Sequence, residues 1–358
     1  MIVGLKRVDR YLVSHIFGLT AIVAMALMSI YSFIAFVTRI DSIGRGRFGY
    51  LELFLYTLYE LPTGFYIMLP VIAMLGTLMG LGTLAQQSEL TAMRAAGVSL
   101  LRIGGATLLA GAVLGAAGLV IGDWVAPRGE IAADALKTES QTGVAPGLGG
   151  RPKWLRDGDN FFYIRQLIAE DHIAAVDLYT VGPELQLRWA AVIEDGRYDN
   201  GHWKFTGIKR TEFTPAGSQV EELPAMEYHG GLSPEVLRLS VLEADALSIA
   251  GLWRLIGYLD ENNLDSSAHM LTLCRKLVAP VTVMAMMLFA IPFVLGPLRN
   301  AGAGQRLFIG MLIGIGFYVV NEVTANTGQL YGWAPQVSAG APTAAFAAFA
   351  LWRLARAR

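Results

Sequence analysis

Long uncharged stretches alternate along this chain with short polar ones. Residues without Asp, Glu, Lys or Arg run from Tyr11 to Thr38, Leu61 to Ser88, Ile103 to Gly122, Leu277 to Leu298, Leu307 to Asn321 and Val323 to Trp352. A bilayer core of about 30 Å takes about 20 helical residues to cross, and every run but the fifth reaches that length. The last run contains the turn-like NTGQLYGWAP, so its span is expected over about Gln336 to Leu354. Six membrane-spanning helices are therefore expected. The first run is too long and continuous for a secretory leader and reads as an uncleaved span.

Between the third and fourth runs, from about Asp123 to Ser267, the period changes. Leu185, Leu187, Trp189, Ala191 and Ile193 alternate with Gln186, Arg188, Ala190 and Val192, the pattern of a half-buried strand. Asn200-Gly201 between two such runs predicts a type I′ hairpin, and FFYIRQL (161 to 167) and IAAVDLYTV (173 to 181) add further strands. An all-β sandwich or jellyroll-like module is expected. After it, Leu252, Leu255, Ile256 and Leu259 recur at helical spacing, which suits either a helix lying on the membrane surface or a connector into the fourth span.

Composition agrees with a membrane protein: of 358 residues, 54% are hydrophobic and 16% charged, with a mean hydropathy of +0.47. A net charge of −1 carries no electrostatic footprint for nucleic acid. Cys274 is the only cysteine, which excludes an intramolecular disulfide or a cysteine metal cluster. The sequence contains no GxxxxGK[ST], HExxH or GxSxG, and its five histidines are scattered, so no nucleotide, zinc or serine-hydrolase chemistry is expected in this chain. No catalytic or metal-binding residue is assigned.

Charge also sets orientation. With the N-terminus in the cytoplasm, Lys6, Arg7, Arg10, Arg94, Arg102, Arg299, Arg306, Arg353, Arg356 and Arg358 lie inside. Arg39, Arg45, Arg47, Arg128, Arg275 and Lys276 then lie outside. The excess inside favours cytoplasmic termini and an external β module. Paired glycines four residues apart, such as Gly76 and Gly80 or Gly310 and Gly314, allow close helix packing within this bundle or against a partner subunit. Pro62, Pro70, Pro280 and Pro292 each remove a helical hydrogen bond in spans 2 and 4.

One cytoplasmic stretch stands out. SELTAMRAAG, residues 88 to 97, offers Ser88 as an N-cap, Glu89 at the positive helix end and Gly97 as the stop. Leu90 and Met93 share a face, and an apolar knob flanked by charges suits either a partner's groove or the headgroup layer. Outside, RIDSIGRGR places Arg39, Arg45 and Arg47 where guanidinium forks match phosphates, or where they simply snorkel.

The chain resembles the LptF/LptG permeases of the lipopolysaccharide export transporter over essentially its whole length. VDRYLVSHIF, GLGTLAQQSELTAMRAAGVS, GDWVAPRGE, ALSIAGLWRLIGYL and LFAIPFVLGPLR carry the resemblance, and VDRYL and DWVAPRGE look like the LptG branch. The resemblance implies an α+β membrane protein. Residues 1–122 would hold spans 1 to 3 with a coupling helix at 88–97, residues 123–267 a periplasmic β-jellyroll with its amphipathic connector, and residues 268–358 spans 4 to 6. It implies an LptF-like permease partner, two copies of an LptB-like ATPase that bind the ATP and Mg, LptC-like and LptA-like periplasmic bridge proteins, and lipopolysaccharide as cargo. Glu89, Leu90, Met93 and Arg94 would occupy the ATPase-coupling helix. Where some members carry lysines at the outer end of span 1, this chain has Ala35, Asp41 and Ser42, so those charge positions are not inherited. A lipoprotein-releasing permease, which has four spans, and a membrane-anchored envelope assembly factor that needs no ATPase are the rival readings.

Overall fold

The computed structural model describes residues 7–142, 153–169, 171–182, 186–214, 217–242, 244–296 and 301–356. The expectations resting on Lys6, Arg299, Arg358 and Leu185 fall outside these residues. The chain divides into two compact units, residues 1–134 with 270–358, and residues 135–269.

The first unit is helical. It contains α1 (Arg7–Thr38), α2 (Tyr50–Gln86), α3 (Glu89–Ala95) and α4 (Leu100–Val120). A single π-helical turn, Ile121–Val125, leads from α4 into α5 (Ala126–Thr142). The helix thus runs on past Asp123, where the sequence suggested that the inserted module begins. Among the described residues, five helices are long and apolar enough to cross a membrane: Arg7–Ser42, Tyr50–Gln86, Leu100–Gln141, Ser267–Leu295 and Ala303–Leu330. Leu12, Ile16, Leu75, Leu78, Leu81, Met286 and Val294 form the centre of the bundle core.

Glycines let these helices approach. A Cβ on Gly80 would lie 3.2 Å from the Ile16 backbone, and one on Gly76 would collide with Thr20, so α1 and α2 meet along a seam with no room for side chains. Gly310 and Gly314 likewise take Leu75, Leu78 and Val71 of α2. The small-residue pairs are used inside this bundle, the first of the two packing readings. Helix continues through Pro62 and Pro70 in α2.

The second unit contains β1 (Lys153–Asp157), β2 (Asn160–Ala169), β3 (His172–Val181), β4 (Leu187–Asp199), β5 (His202–Thr214) and β6 (Gly217–Tyr228), then α6 (Pro234–Val241) and α7 (Ile249–Glu261). The remaining helices are α8 (Ser267–Leu295), α9 (Ala303–Leu330) and α10 (Pro335–Arg356). Asn200 and Gly201 have φ of 51° and 89°, the left-handed pair a type I′ turn demands, and β4 and β5 pair across them as expected.

The six strands lie in one antiparallel sheet in the order β1 to β6. No crossover joins the described strands: they form one meander in sequence order, where an all-β sandwich or jellyroll-like module was expected. The sheet curls instead. In a flat sheet β2 and β6 would stand about 19 Å apart, four strand spacings, yet the Phe162 and Tyr228 rings are 5.0 Å apart. Tyr228 Oη donates to Asp157 Oδ2 at 2.7 Å, so β6 reaches β1 at one end of the roll. Phe162, Phe205, Trp203, Ile193 and Leu178 fill the interior, with Leu232 and Leu237 packed on them.

Helix α7 belongs to this unit. Leu252, Leu255, Ile256 and Tyr258 are buried. Tyr258 Oη donates to the Arg156 carbonyl at 2.5 Å, and the Asn262 side chain accepts from the Gly158 amide at 2.8 Å. Its apolar stripe is therefore spent on protein, which corrects the membrane-surface reading and leaves the connector. Trp253, 67% exposed, is its outward aromatic.

Candidate functional site

Helix α3 folds back at Ser88, whose φ of 62° lies in the left-handed region. Its side chain makes no capping bond, so the N-cap expected from sequence is filled in position only. The far end behaves as expected: Gly97 has φ of 91°, and the Gly97 and Val98 amides bond back to the Arg94 and Met93 carbonyls. Ser99 then caps α4, accepting from the Arg102 amide.

The apolar face of α3 points into its own bundle. Leu90 is 2% exposed within the bundle core, and Met93 is half-buried against it. This corrects the outward knob expected from Leu90 and Met93. An apolar pair leaves water at the nearest apolar surface, and the end of α2 supplies one within the same chain. What α3 shows outward is small and basic: Thr91, Ala92, Arg94, Ala95 and Ala96 are exposed. The Arg94 guanidinium makes no bond among the described residues, and it borders a groove of about 320 Å³ lined also by Ala85, Leu90, Thr91, Val294 and Leu295.

Glu89 faces α1. Tyr11 Oη donates to Glu89 Oε2 at 2.8 Å. The Tyr11 ring stacks on His15 at 6.1 Å, and His15 Nε2 bonds Thr83 Oγ1 of α2 at 2.8 Å. Nearby, Arg102 of α4 grips Asp9 of α1 through Nε at 2.8 Å and Nη2 at 3.1 Å, a bidentate fork.

At the other end of α1 the three arginines singled out from sequence part company. Arg39 is engaged: Nη2 lies 2.7 Å from Glu60 Oε1, and the guanidinium sits 5.0 Å from the centre of the Tyr56 ring. Arg45 and Arg47 are exposed, and their guanidiniums make no bond among the described residues. They lie beside Gly44 and Gly46, whose φ of 84° and 61° hold the loop open.

Several charged groups were not foreseen. Lys276 is 5% exposed and donates to the Gly122 carbonyl at 3.2 Å, within the π turn. A π turn displaces the regular hydrogen-bond ladder, and this carbonyl takes up a lysine. Arg275 pairs with Glu322 at 2.8 Å, joining α8 to α9. Glu322 had a readable signal, as the lone charge separating two apolar runs. Arg306 is wholly buried, and a Cβ on Gly82 would press on it at 2.7 Å. Nothing in the sequence marks that pairing.

The model of the lipopolysaccharide export system permeases LptF/LptG matches residues 10–356 of this chain. The chain belongs to the LptF/LptG family. Among relatives, the lipopolysaccharide export system permease protein LptG of Escherichia coli K12 is 30% identical over 351 residues, 97% of this chain and 98% of that protein. LptG of Haemophilus influenzae is 29% identical over 356 residues, 99% of each. The similarity to LptF/LptG proteins spans both units, so the helical bundle and the rolled sheet are parts of one permease.

Proposed function

We propose that this chain is the LptG-type subunit of an ATP-driven lipopolysaccharide exporter. In this reading α10 is a sixth span, both termini are cytoplasmic and the rolled sheet lies in the periplasm. An LptF-like permease stands beside it, and two LptB-like ATPase copies below supply ATP hydrolysis. LptC-like and LptA-like proteins receive the lipid. The chain itself is non-catalytic and carries no cofactor; ATP and Mg belong to the ATPase.

The observation that carries the reading is the family match over residues 10–356 together with the placement of α3, a short helix tied to α1 through Glu89 and Tyr11 and seated by Leu90 in the bundle core that α2 helps to form. Its residues divide the work. Leu90 and Met93 seat the helix, Arg94 and the small outward face meet the ATPase, and Glu89 links the seat to α1. Outside, Arg45 and Arg47 are free to engage lipid phosphates, and Arg39 joins them by exchanging Glu60 for phosphate. A lipoprotein-releasing permease has four spans, fewer than the five apolar helices found here.

The test is purification of the membrane complex under mild detergent, with counting of bound ATPase and mass analysis of bound lipid. Retained ATPase together with phosphorylated lipid A is the expected result. A complex that transfers lipid with no ATPase attached would overturn the reading.

A further inference from the structure

Two observations about α3 pull against each other. It is only seven residues long, too short to be stable as a helix by itself, and it follows a left-handed residue with no side-chain cap. Yet a helix that transmits force must hold its orientation. Leu90 anchors it from below, and an anchor of apolar contacts resists lifting more than it resists turning, because such contacts are non-directional. Direction comes from Glu89 and Tyr11.

We propose that Tyr11 is a positioning residue for α3: its phenol latches Glu89, so that a displacement of α3 is delivered to α1 as well as to α2. The bond is 2.8 Å long and charge-assisted. The Tyr11 ring is itself held by stacking on His15, which bonds Thr83 at 2.8 Å, and Thr83 in turn donates to the Gly80 carbonyl of α2. The path from Glu89 through Tyr11, His15 and Thr83 therefore closes a loop that spans the bend at Gln87 and Ser88. Below it, Gly76 and Gly80 press α2 onto Thr20 and Ile16 of α1. Without the latch α3 could rotate about Ser88 and spend its motion locally. With it, the α1 and α2 pair moves as one piece.

The inference rests on the reading that α3 receives the ATPase. Its test uses the complete complex in nanodiscs, with ATPase retained, ATP hydrolysed and lipid released all measured, together with deuterium exchange over residues 88–97. Tyr11→Phe keeps the ring and its stacking and removes only the donor. It should retain the ATPase, raise exchange in that segment and release about three- to ten-fold less lipid per ATP, the range of an ordinary net hydrogen bond, since solvent exposure offsets the gain from charge. Glu89→Ala should match it, the two changes combined should be no worse than either, and Glu89→Gln, which keeps an acceptor oxygen, should fall between Glu89→Ala and the parent. A parental ratio of lipid to ATP in Tyr11→Phe overturns the latch. So does a Glu89→Gln as damaging as Glu89→Ala with Tyr11→Phe silent, because Glu89 would then serve a cation on the partner. If the parent complex retains no ATPase, the coupling reading itself falls and the latch falls with it, a result distinct from the other two.

Discussion

Tyr258 shows how a single side chain can report closure of the rolled sheet. Its phenol, buried under α7 and facing the Asp157 carboxylate, is pushed up to about 12, by burial first and by the negative charge second. The neutral form is the one the fold favours, so the stabilisation is complete below the ordinary tyrosine value of about 10 and is lost as pH rises through about 12. Subtracting the alkaline absorbance titration of Tyr258→Phe from that of the parent should isolate one late-ionising tyrosine. A difference curve centred near the ordinary value would mean that α7 does not cover the β1 and β2 hairpin. At this scale the sequence was legible where a residue type has one conformational use, as at Asn200, Gly201 and Gly97. It was silent where a group's role depends on a partner distant in the chain. Arg39 looked like a phosphate ligand because nothing in RIDSIGRGR reveals that Glu60 lies within 2.7 Å of it.

For α3 as an element, existence and end were legible, but its facing was not. Leu90 and Met93 at i, i+3 must share a side, yet spacing cannot say whether that side meets a partner, lipid or the helix just completed. The same holds for α7, whose stripe of Leu252, Leu255, Ile256 and Leu259 would read identically on a membrane or on a sheet. It holds for the strands too: alternation puts Leu187, Trp189, Ala191 and Ile193 on one face and leaves the curl of the sheet unspecified. The observed facing of α3 separates two substitutions that sequence alone would lump together. Leu90→Ala empties a buried site and should cost about 2–5 kcal/mol of local stability, seen as faster deuterium exchange throughout residues 89–95 before any ATPase is added. Arg94→Glu touches an exposed guanidinium and should leave that exchange unchanged, while lowering the amount of ATPase retained. Parental exchange in Leu90→Ala would show that α3 is not seated on the bundle, and full retention in Arg94→Glu would remove its outward face from the interface.

On the scale of the whole chain, the division into an apolar bundle and a polar insert was written in the hydropathy alone, because a bilayer demands about 20 uncharged residues per crossing wherever the chain goes afterwards. Orientation rests on a different quantity, the excess of arginine and lysine on one side, and deserves its own measurement. The structure guides where probes go. Cys274 is buried among Leu271, Ala325 and Ala339, so Cys274→Ala removes the native thiol without exposing a charge. Gln219 is exposed on β6, which among the described strands pairs with β5 alone, and a thiol there avoids the left-handed turn at Asn200 and the Asp199–Lys204 ion pair of 2.7 Å. Ala92 is exposed on α3 and carries neither the Glu89 latch nor the Arg94 charge. In cells with a permeabilised outer membrane and an intact inner one, a membrane-impermeant maleimide should label Gln219→Cys at once and Ala92→Cys only after lysis. Labelling in the reverse order would place α3 outside, beyond reach of any cytoplasmic ATPase, and with it would go the assignment of this helix to energy coupling. Labelling of both before lysis would mean that the chain between α3 and the sheet crosses the membrane an even number of times, which the uninterrupted apolar length of α4 does not allow.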